Sequence, residues 1–348
     1  NRTVRVTPNA SSHPFVGGSP EAPVELFVGN AGTAARFLSA ILCLGEGNFR
    51  LDGVARMRER PQAGLFAALR ALGYRVDTPN DKLPVTIHAT GPRRAACEVS
   101  ARDSSQFASA IALGAARGGW DMTVKEPEYR DAPYLQMTRE MIALFESDQT
   151  VIQIEPDASS GSYFWAAGAL LGSKVSVAQW PATGWQIDQR FPNYLPLPGA
   201  LSRERDLGDS IMTAIVLAPF APQPVAFTDL GRLRVQECER VQALRVELTK
   251  LGARVEEMGD TLTVYPMDGR RMRPATIETY DDHRIAMCFA ILGLREAGIR
   301  LQDPSCVRKT FPNFFAKLAA PMPSGLGANL RENSTQGPAL TGSALIAD

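Results

Sequence analysis

The stretch GNAGTAARFLSAIL, Gly29 to Leu42, runs five small or polar residues straight into an apolar segment. Capping a helix needs one Ser, Thr, Asp or Asn, whereas this entrance strings several bare residues together and leaves the backbone uncovered. Amides exposed at the positive end of a helix dipole favour anions. The pattern returns in DSSQFASAIALGAA (Asp103 to Ala116), DASSGSYFWAAGAL (Asp157 to Leu170), GDSIMTAIVLAPFA (Gly208 to Ala221) and DDHRIAMCFAILGL (Asp281 to Leu294), making five copies in one chain. A short β-like run follows each: NFRLDG, DMTVKE, KVSVAQ, PVAFTD and IRLQDP, all rich in alternating or β-branched apolar residues.

Most copies then add an amphipathic helix, in RPQAGLFAALRALG, APYLQMTREMIALF, ECERVQALRVELTKLG and FPNFFAKLAA. A longer echo joins Leu69–Ala89 to Leu248–Pro266, each reading as helix, Leu-Gly stop, strand, polar turn, strand. The sequence therefore predicts an α/β protein of two similar domains built from repeated units. Converging entrances from the two would make a cleft suited to a multiply phosphorylated or carboxylated ligand.

The chain has 348 residues, 45% of them hydrophobic, enough for two buried cores. Thirty-seven Lys and Arg balance thirty-seven Asp and Glu, so bulk charge points to neither nucleic acid nor an anionic membrane; any anion site must be built locally. No apolar run reaches the length of a membrane span and the first residues lack a signal-peptide pattern, so a cytoplasmic protein is expected. Cys43, Cys97, Cys238, Cys288 and Cys306 are scattered, without CxxC spacing, and only three histidines accompany them. Reduced, packing cysteines and no metal site are expected.

Cations cluster beside the entrances. ARMRERP (Ala55 to Pro61) places Arg56, Arg58 and Arg60 within five residues, and an extended backbone would put them on one face. Arg284 falls in the first turn of its helix, and Arg308 and Lys309 precede another. LRVQECERVQAL holds Glu237 and Arg240 three apart, on one face of a helix, either converging on a ligand or simply pairing. Asp209 stands at a helix start, where it is an N-cap or a carboxylate able to take a proton from a substrate hydroxyl.

GNAGTAARFL, RMRERP, SSQF, APYLQMT, DASSGSYF, RVQECER, YDDHRIAM and DPSCVRKTFP occur in this order between Glu25 and Leu318. In them the chain resembles the 5-enolpyruvylshikimate-3-phosphate synthase family of enolpyruvyl transferases. The resemblance implies a two-domain inside-out α/β barrel of six repeated units. Five are counted, and the missing one would be the first, with the family's opening Lys-Ser…Arg motif; the chain is expected to be truncated there. Domains are expected over residues 1–154 and 155–318, with 319–348, poor in aromatics and rich in Gly, Ser, Pro and Ala, as a flexible tail.

The resemblance also implies the reaction: transfer of the enolpyruvyl group of phosphoenolpyruvate to the 5-hydroxyl of shikimate 3-phosphate, with loss of phosphate, by a protein expected to be a monomer using no cofactor. It assigns phosphoenolpyruvate to Gly32, Arg60, Arg240, Arg284 and Lys309. Shikimate 3-phosphate falls to Ser104, Ser105, Gln106, Asp131, Tyr134, Asp209, Gln236 and Ser159 or a neighbour. Asp209, Glu237 and Lys309 take the catalytic roles. Guanidinium groups suit these ligands because each can bind a phosphate or carboxylate through two hydrogen bonds.

Three positions depart from the family pattern. Gln236 replaces a usual lysine, Asp131 a frequent serine, and Phe37 a common proline. Two other readings fit part of the motif set. One is a catalytically impaired, anion-binding member of the family; the other is the sister transferase acting on UDP-N-acetylglucosamine, whose loop cysteine RMRERP lacks.

Overall fold

Residues 15–129, 132–332 and 345–347 are described by the structure, a computed structural model. The chain parts between Ile152 and Gln153 into two units, and each closes around its own apolar core.

In the first unit β1 (Val24–Phe27) enters α1 (Gly32–Ile41), which crosses back to β2 (Glu46–Asp52), parallel to β1. A short α2 (Ala55–Glu59) and then α3 (Ala63–Ala71) follow, and the hairpin of β3 (Arg75–Asp77) and β4 (Val85–Thr90) completes a sheet of order β1-β2-β4-β3. Alternation in β4 turns Val85, Ile87 and Ala89 into the core. The buried stripe of α1 is Gly32, Ala35, Arg36, Ser39 and Ala40, a helical spacing of mostly small side chains. Those small residues let α1 pack on α4 (Ser105–Gly118). That helix joins β5 (Ala95–Val99) to β6 (Trp120–Val124) as a parallel pair, and α5 (Pro133–Phe145) follows.

The second unit opens with α6 (Ala158–Leu171). Then β7 (Ala200–Ser202), α7 (Ile211–Leu217), β8 (Val225–Thr228), α8 (Arg240–Lys250), β9 (Val255–Met258) and β10 (Thr261–Val264) form a sheet of order β7-β8-β10-β9. β11 (Ala275–Ile277), α9 (His283–Gly293), β12 (Ile299–Leu301) and α10 (Phe314–Ala319) follow, and β13 (Leu330–Glu332) and β14 (Leu345–Ala347) complete the order β11-β12-β14-β13. All three four-stranded sheets share this order and these directions: a parallel first pair, then two antiparallel neighbours. The repeat expected from the sequence is thus a strand, a crossover helix, a strand, a second helix and a hairpin. β13 and β14 lie within the stretch read as a tail; Leu326 there packs, partly buried, against the core of the second unit, and Ala328 N–H donates to the Leu318 carbonyl at 2.9 Å.

The echoing Leu-Gly stops are helix ends. Leu72 and Leu251 close α3 and α8, and Gly73 (φ 87°) and Gly252 (φ 92°) take the left-handed backbone that reverses the chain. Three local readings need correction. KVSVAQ (174–179) is not a strand, because the chain doubles back over the end of α6: Ser173 N–H donates to the Gly168 carbonyl at 3.0 Å and Val175 lies against Gly168. Residues 55–59 are helical rather than extended, so Arg56 and Arg58 turn aside to Glu59 and Asp52. Glu237 precedes α8 instead of riding on it, since Glu239 caps that helix by accepting from Gln242 N–H.

Candidate functional site

No side chain caps α1. Beside it lies the buried Arg60, whose Nη1 donates to the Asn30 carbonyl at 3.0 Å and to Asn30 Oδ1 at 3.3 Å. Gly32 is required by this approach. A Cβ there would stand 2.6 Å from Arg60 Nη2 and 3.0 Å from Arg36 Nη1. Arg36 is buried too, donating from Nη1 to Gln106 Oε1 at 2.7 Å and from Nη2 to the Pro61 carbonyl at 3.1 Å, with its guanidinium over the Phe107 ring. Gln106 returns a bond from Nε2 to Thr33 Oγ1 at 3.0 Å. Two guanidiniums, a bare helix start and a locked amide thus gather in the first unit, and such a set can receive an anion.

The other first-unit candidates sit around α4 and α5. Ser104 Oγ caps α4 by accepting from Gln106 N–H at 3.2 Å, so this entrance spends its hydroxyl on itself. Ser105 is buried in the first turn. Tyr134 is half-buried in the first turn of α5, where its carbonyl accepts from Thr138 Oγ1 at 2.8 Å. Asp131 lies outside the described residues.

In the second unit the candidates join into one chain of alternating charge. Lys309 Nζ meets Glu237 Oε1 at 2.5 Å, and Glu237 Oε2 meets Arg240 Nη2 at 2.9 Å. Arg240, 1% exposed, grips Asp282 from Nε at 2.6 Å and from Nη2 at 3.2 Å, and its Nη1 donates to Gln236 Oε1. Asp282 caps α9, its Oδ1 accepting from Arg284 N–H at 2.8 Å. Arg284 Nη2 then reaches Asp209 Oδ2 at 3.3 Å and Ser159 Oγ at 3.0 Å, while Arg203 Nη2 donates to Asp209 Oδ1 at 2.9 Å.

Burial here is balanced by charge. Desolvation pushes the Asp209 carboxyl up, but the Arg284, Arg203 and Arg240 guanidiniums outweigh it and hold the group far below the usual carboxylate range. Asp188, whose Oδ1 accepts from Ser210 N–H at 2.9 Å, is raised by its burial and by Asp209. His283 is lowered to about 3 by burial and by the neighbouring Arg284. Asp209 stands before α7 and does not cap it. At α6 the cap is Asp157, which accepts from the N–H groups of both Ser159 and Ser160 at 2.9 and 3.1 Å.

The entrances at α4, α6 and α9 are therefore capped from within, and their anion-binding capacity rests mainly on side chains. Arg36, Arg203, Asp188 and Asp282 belong to these clusters although sequence reasoning did not select them. Arg203 and Asp188 had a faint signal in SRERD and QIDQR, polar runs next to buried elements. Among the described residues, no group of three or more His, Cys, Asp or Glu is set to hold a metal ion, and no helix is long and apolar enough to cross a membrane.

The model of the EPSP synthase (3-phosphoshikimate 1-carboxyvinyltransferase) family matches residues 9–195 and 197–318. The 3-phosphoshikimate 1-carboxyvinyltransferase of Trichormus variabilis is 35% identical over 342 residues, covering 86% of this chain and 80% of that protein. The protein of the same name from Pseudomonas syringae pv. syringae is 37% identical over 334 residues, covering 87% and 79%. Among solved structures, EPSP synthase from Acinetobacter baumannii superposes with a TM-score of 0.58 at 22% identity, over 86% of this chain and 79% of that one, which supports the fold. Sequence relatives, fold and the order of the eight motifs agree, and the chain belongs to the EPSP synthase family.

Proposed function

We propose that this protein transfers the enolpyruvyl group of phosphoenolpyruvate to the 5-hydroxyl of shikimate 3-phosphate and releases phosphate, a step of aromatic amino acid biosynthesis. The observation that carries the reading is the pair of carboxylates, Glu237 and Asp209, each held between two cations: Lys309 and Arg240 on one, Arg203 and Arg284 on the other. Such an arrangement places proton-handling groups among the cations that two anionic substrates require.

In the addition step the substrate's 5-oxygen bonds to carbon 2 of phosphoenolpyruvate, the hydroxyl proton leaves, and carbon 3 gains a proton. The tetrahedral product then expels phosphate and returns the carbon-3 proton, restoring the double bond. Asp209 is a carboxylate at all working pH, so its part is to orient the hydroxyl and receive its proton only as the C–O bond forms. Glu237 carries the carbon-3 proton, and its contact with Lys309 Nζ gives that proton a donor and a return. Arg60, Arg240, Arg284 and Lys309 hold the phosphate and carboxylate of phosphoenolpyruvate, and Gly32 leaves room for them. Ser104, Ser105, Gln106, Tyr134, Ser159 and Gln236 are read as contacts of shikimate 3-phosphate, with Asp131 completing the set.

The test is release of inorganic phosphate by the purified chain. Phosphate must appear only when both substrates are present; none, or the same rate with phosphoenolpyruvate alone, overturns the reading.

A further inference from the structure

Of the described residues outside glycine, seven have backbones in the left-handed region, and three of these meet at one junction of the second unit: Tyr280 (φ 55°), Asp281 (φ 51°) and Asp303 (φ 47°). L residues rarely adopt this conformation, and two in succession persist only where the surroundings over-determine them. Tyr280 and Asp281 immediately precede Asp282, the carboxylate that grips Arg240 and caps α9 by accepting from the Arg284 backbone N–H.

The surroundings are specific. Tyr280 OH donates to Glu247 Oε1 at 2.7 Å. Glu247 is a fully buried carboxylate on α8, seven residues after Arg240, and Lys250 Nζ holds both of its oxygens at 2.7 and 2.8 Å. Glu278 N–H approaches Oε2 at 3.4 Å. Next to Tyr280, the buried Thr279 donates from Oγ1 to the Asp303 carbonyl at 3.2 Å, and its own carbonyl accepts from Asp282 N–H at 2.8 Å. Asp303 in turn opens the 3-10 helix Pro304–Lys309. One turn thus ties together α8, which carries Arg240, the start of α9, which carries Arg284, and the segment that carries Lys309.

We infer that Tyr280, anchored on the buried carboxylate of Glu247, is a positioning residue that holds the 280–281 turn and, through it, the Asp282 carboxylate that orients Arg240 and Arg284. The inference rests on reading those two arginines as phosphoenolpyruvate contacts. Burying a carboxylate is costly unless it is paired and hydrogen-bonded, and the hydrogen bonds to the Glu247 carboxylate come from Lys250, Glu278 N–H and Tyr280, none of them a candidate site residue. A place in this turn accounts for its presence in the core.

The experiment compares Tyr280→Phe, Glu247→Gln and Glu247→Met by steady-state kinetics, thermal stability and amide hydrogen exchange. Tyr280→Phe removes one hydroxyl and should raise KM for phosphoenolpyruvate about fivefold or more, and raise it more than KM for shikimate 3-phosphate, as expected for a lost bond to a charged acceptor. Glu247→Gln keeps an acceptor for the hydroxyl and should stay near the wild-type KM even as stability falls with the loss of the Lys250 pair. Glu247→Met should behave like Tyr280→Phe; should it fail to fold, the tyrosine variant decides alone. Lowered stability with both KM values unchanged in Tyr280→Phe would overturn the inference. A wild-type chain that releases no phosphate would overturn the proposed function instead, and exchange at the Asp282 and Arg284 amides would still judge the clamp. Faster exchange in Tyr280→Phe than in Glu247→Gln supports it, and equal exchange sinks it.

Discussion

Lys309 and Glu237, seventy-two residues apart in the chain, meet with Nζ 2.5 Å from Oε1, and the other oxygen of Glu237 lies 2.9 Å from Arg240. Glu237 is therefore gripped by two cations that the proposed reaction also needs for phosphoenolpyruvate. Replacing it with Gln should separate the two duties. The carbon-3 proton loses its carrier, so kcat should fall about 100-fold or more, while Lys309 and Arg240 are released from a competitor and KM for phosphoenolpyruvate should not rise. Steady-state phosphate release measures both. A Glu237→Gln variant with unchanged kcat would remove the residue from the chemistry.

Gly32→Ala tests the close approach at the entrance of α1. The new methyl would stand 2.6 Å from Arg60 Nη2 and 2.9 Å from its Cζ. Arg60 is buried and tied to Asn30, so it cannot swing clear cheaply; overpacking of this kind costs about 1–3 kcal/mol. Expressed on the bound anion, that is roughly a tenfold rise in KM for phosphoenolpyruvate. An unchanged KM would mean that Arg60 moves aside at no cost to binding.

How much of this was legible beforehand follows from the range of each interaction. The entrances, the Leu-Gly stops and the second helices are local events, governed by caps, glycine and apolar period within about a dozen residues, and the sequence displays them directly. The β-like run KVSVAQ misled because Val175 packs back on Gly168, a tertiary choice that propensity does not contain. Glu237 and Arg240 pair as their spacing suggested, but through a turn before α8, since Glu239 takes the cap. Arg203 and Asp188 acquire meaning only from Asp209 and Ser210, which fold next to them, and composition alone does not separate them from ordinary surface charge. Arg36 was visible inside the opening motif, yet its bond to Gln106 spans seventy residues.

Arg203→Ala should weaken the site although no motif marks the residue. Asp209 would lose the charge-assisted bond to its Oδ1 and keep the ion pair with Arg284 at 3.3 Å. A bond of that class contributes about 1.5–3 kcal/mol, so kcat/KM for shikimate 3-phosphate should fall roughly tenfold. Arg271, exposed and outside both clusters, supplies the comparison: Arg271→Ala should leave kcat/KM unchanged. Equal losses in the two variants would point to diffuse electrostatics rather than to a built site.

Gln236→Lys restores a cation where Gln236 now accepts a bond from Arg240. Without ligand, the new ammonium stands against a buried guanidinium and the fold should lose stability. A bound dianion relieves that repulsion, so the thermal shift produced by shikimate 3-phosphate should be larger in Gln236→Lys than in wild type. The difference should shrink as salt rises, because screening over about 10 Å or less removes it. If the shift is the same in both proteins at low salt, position 236 does not face the substrate.

Stability against acid depends on His283. Its folded-state pKa, about 3, lies below the ordinary 6.5, because burial and Arg284 both oppose the charged ring. Below pH 6.5 the unfolded chain binds a proton that the folded chain refuses, so stability is full above that value and falls as pH drops toward 3, by up to about 1.4 kcal/mol per pH unit. Asp209, Asp157 and Asp282 are also lowered, but from 3.8, so their share is lost only at lower pH. Asp188, raised from 3.8, works in the opposite direction and adds stability as the pH falls through its folded value. His283 is therefore the group whose refusal of a proton lowers stability as the pH drops from 6.5, and Asp188 opposes it. Chemical denaturation at half-unit intervals from pH 6.5 to about 5 should show wild type losing stability relative to His283→Gln as the pH falls, whatever the overall cost of the substitution. A difference between the two proteins that stays constant over that stretch would mean that the ring is reached by solvent and takes its proton in the folded state.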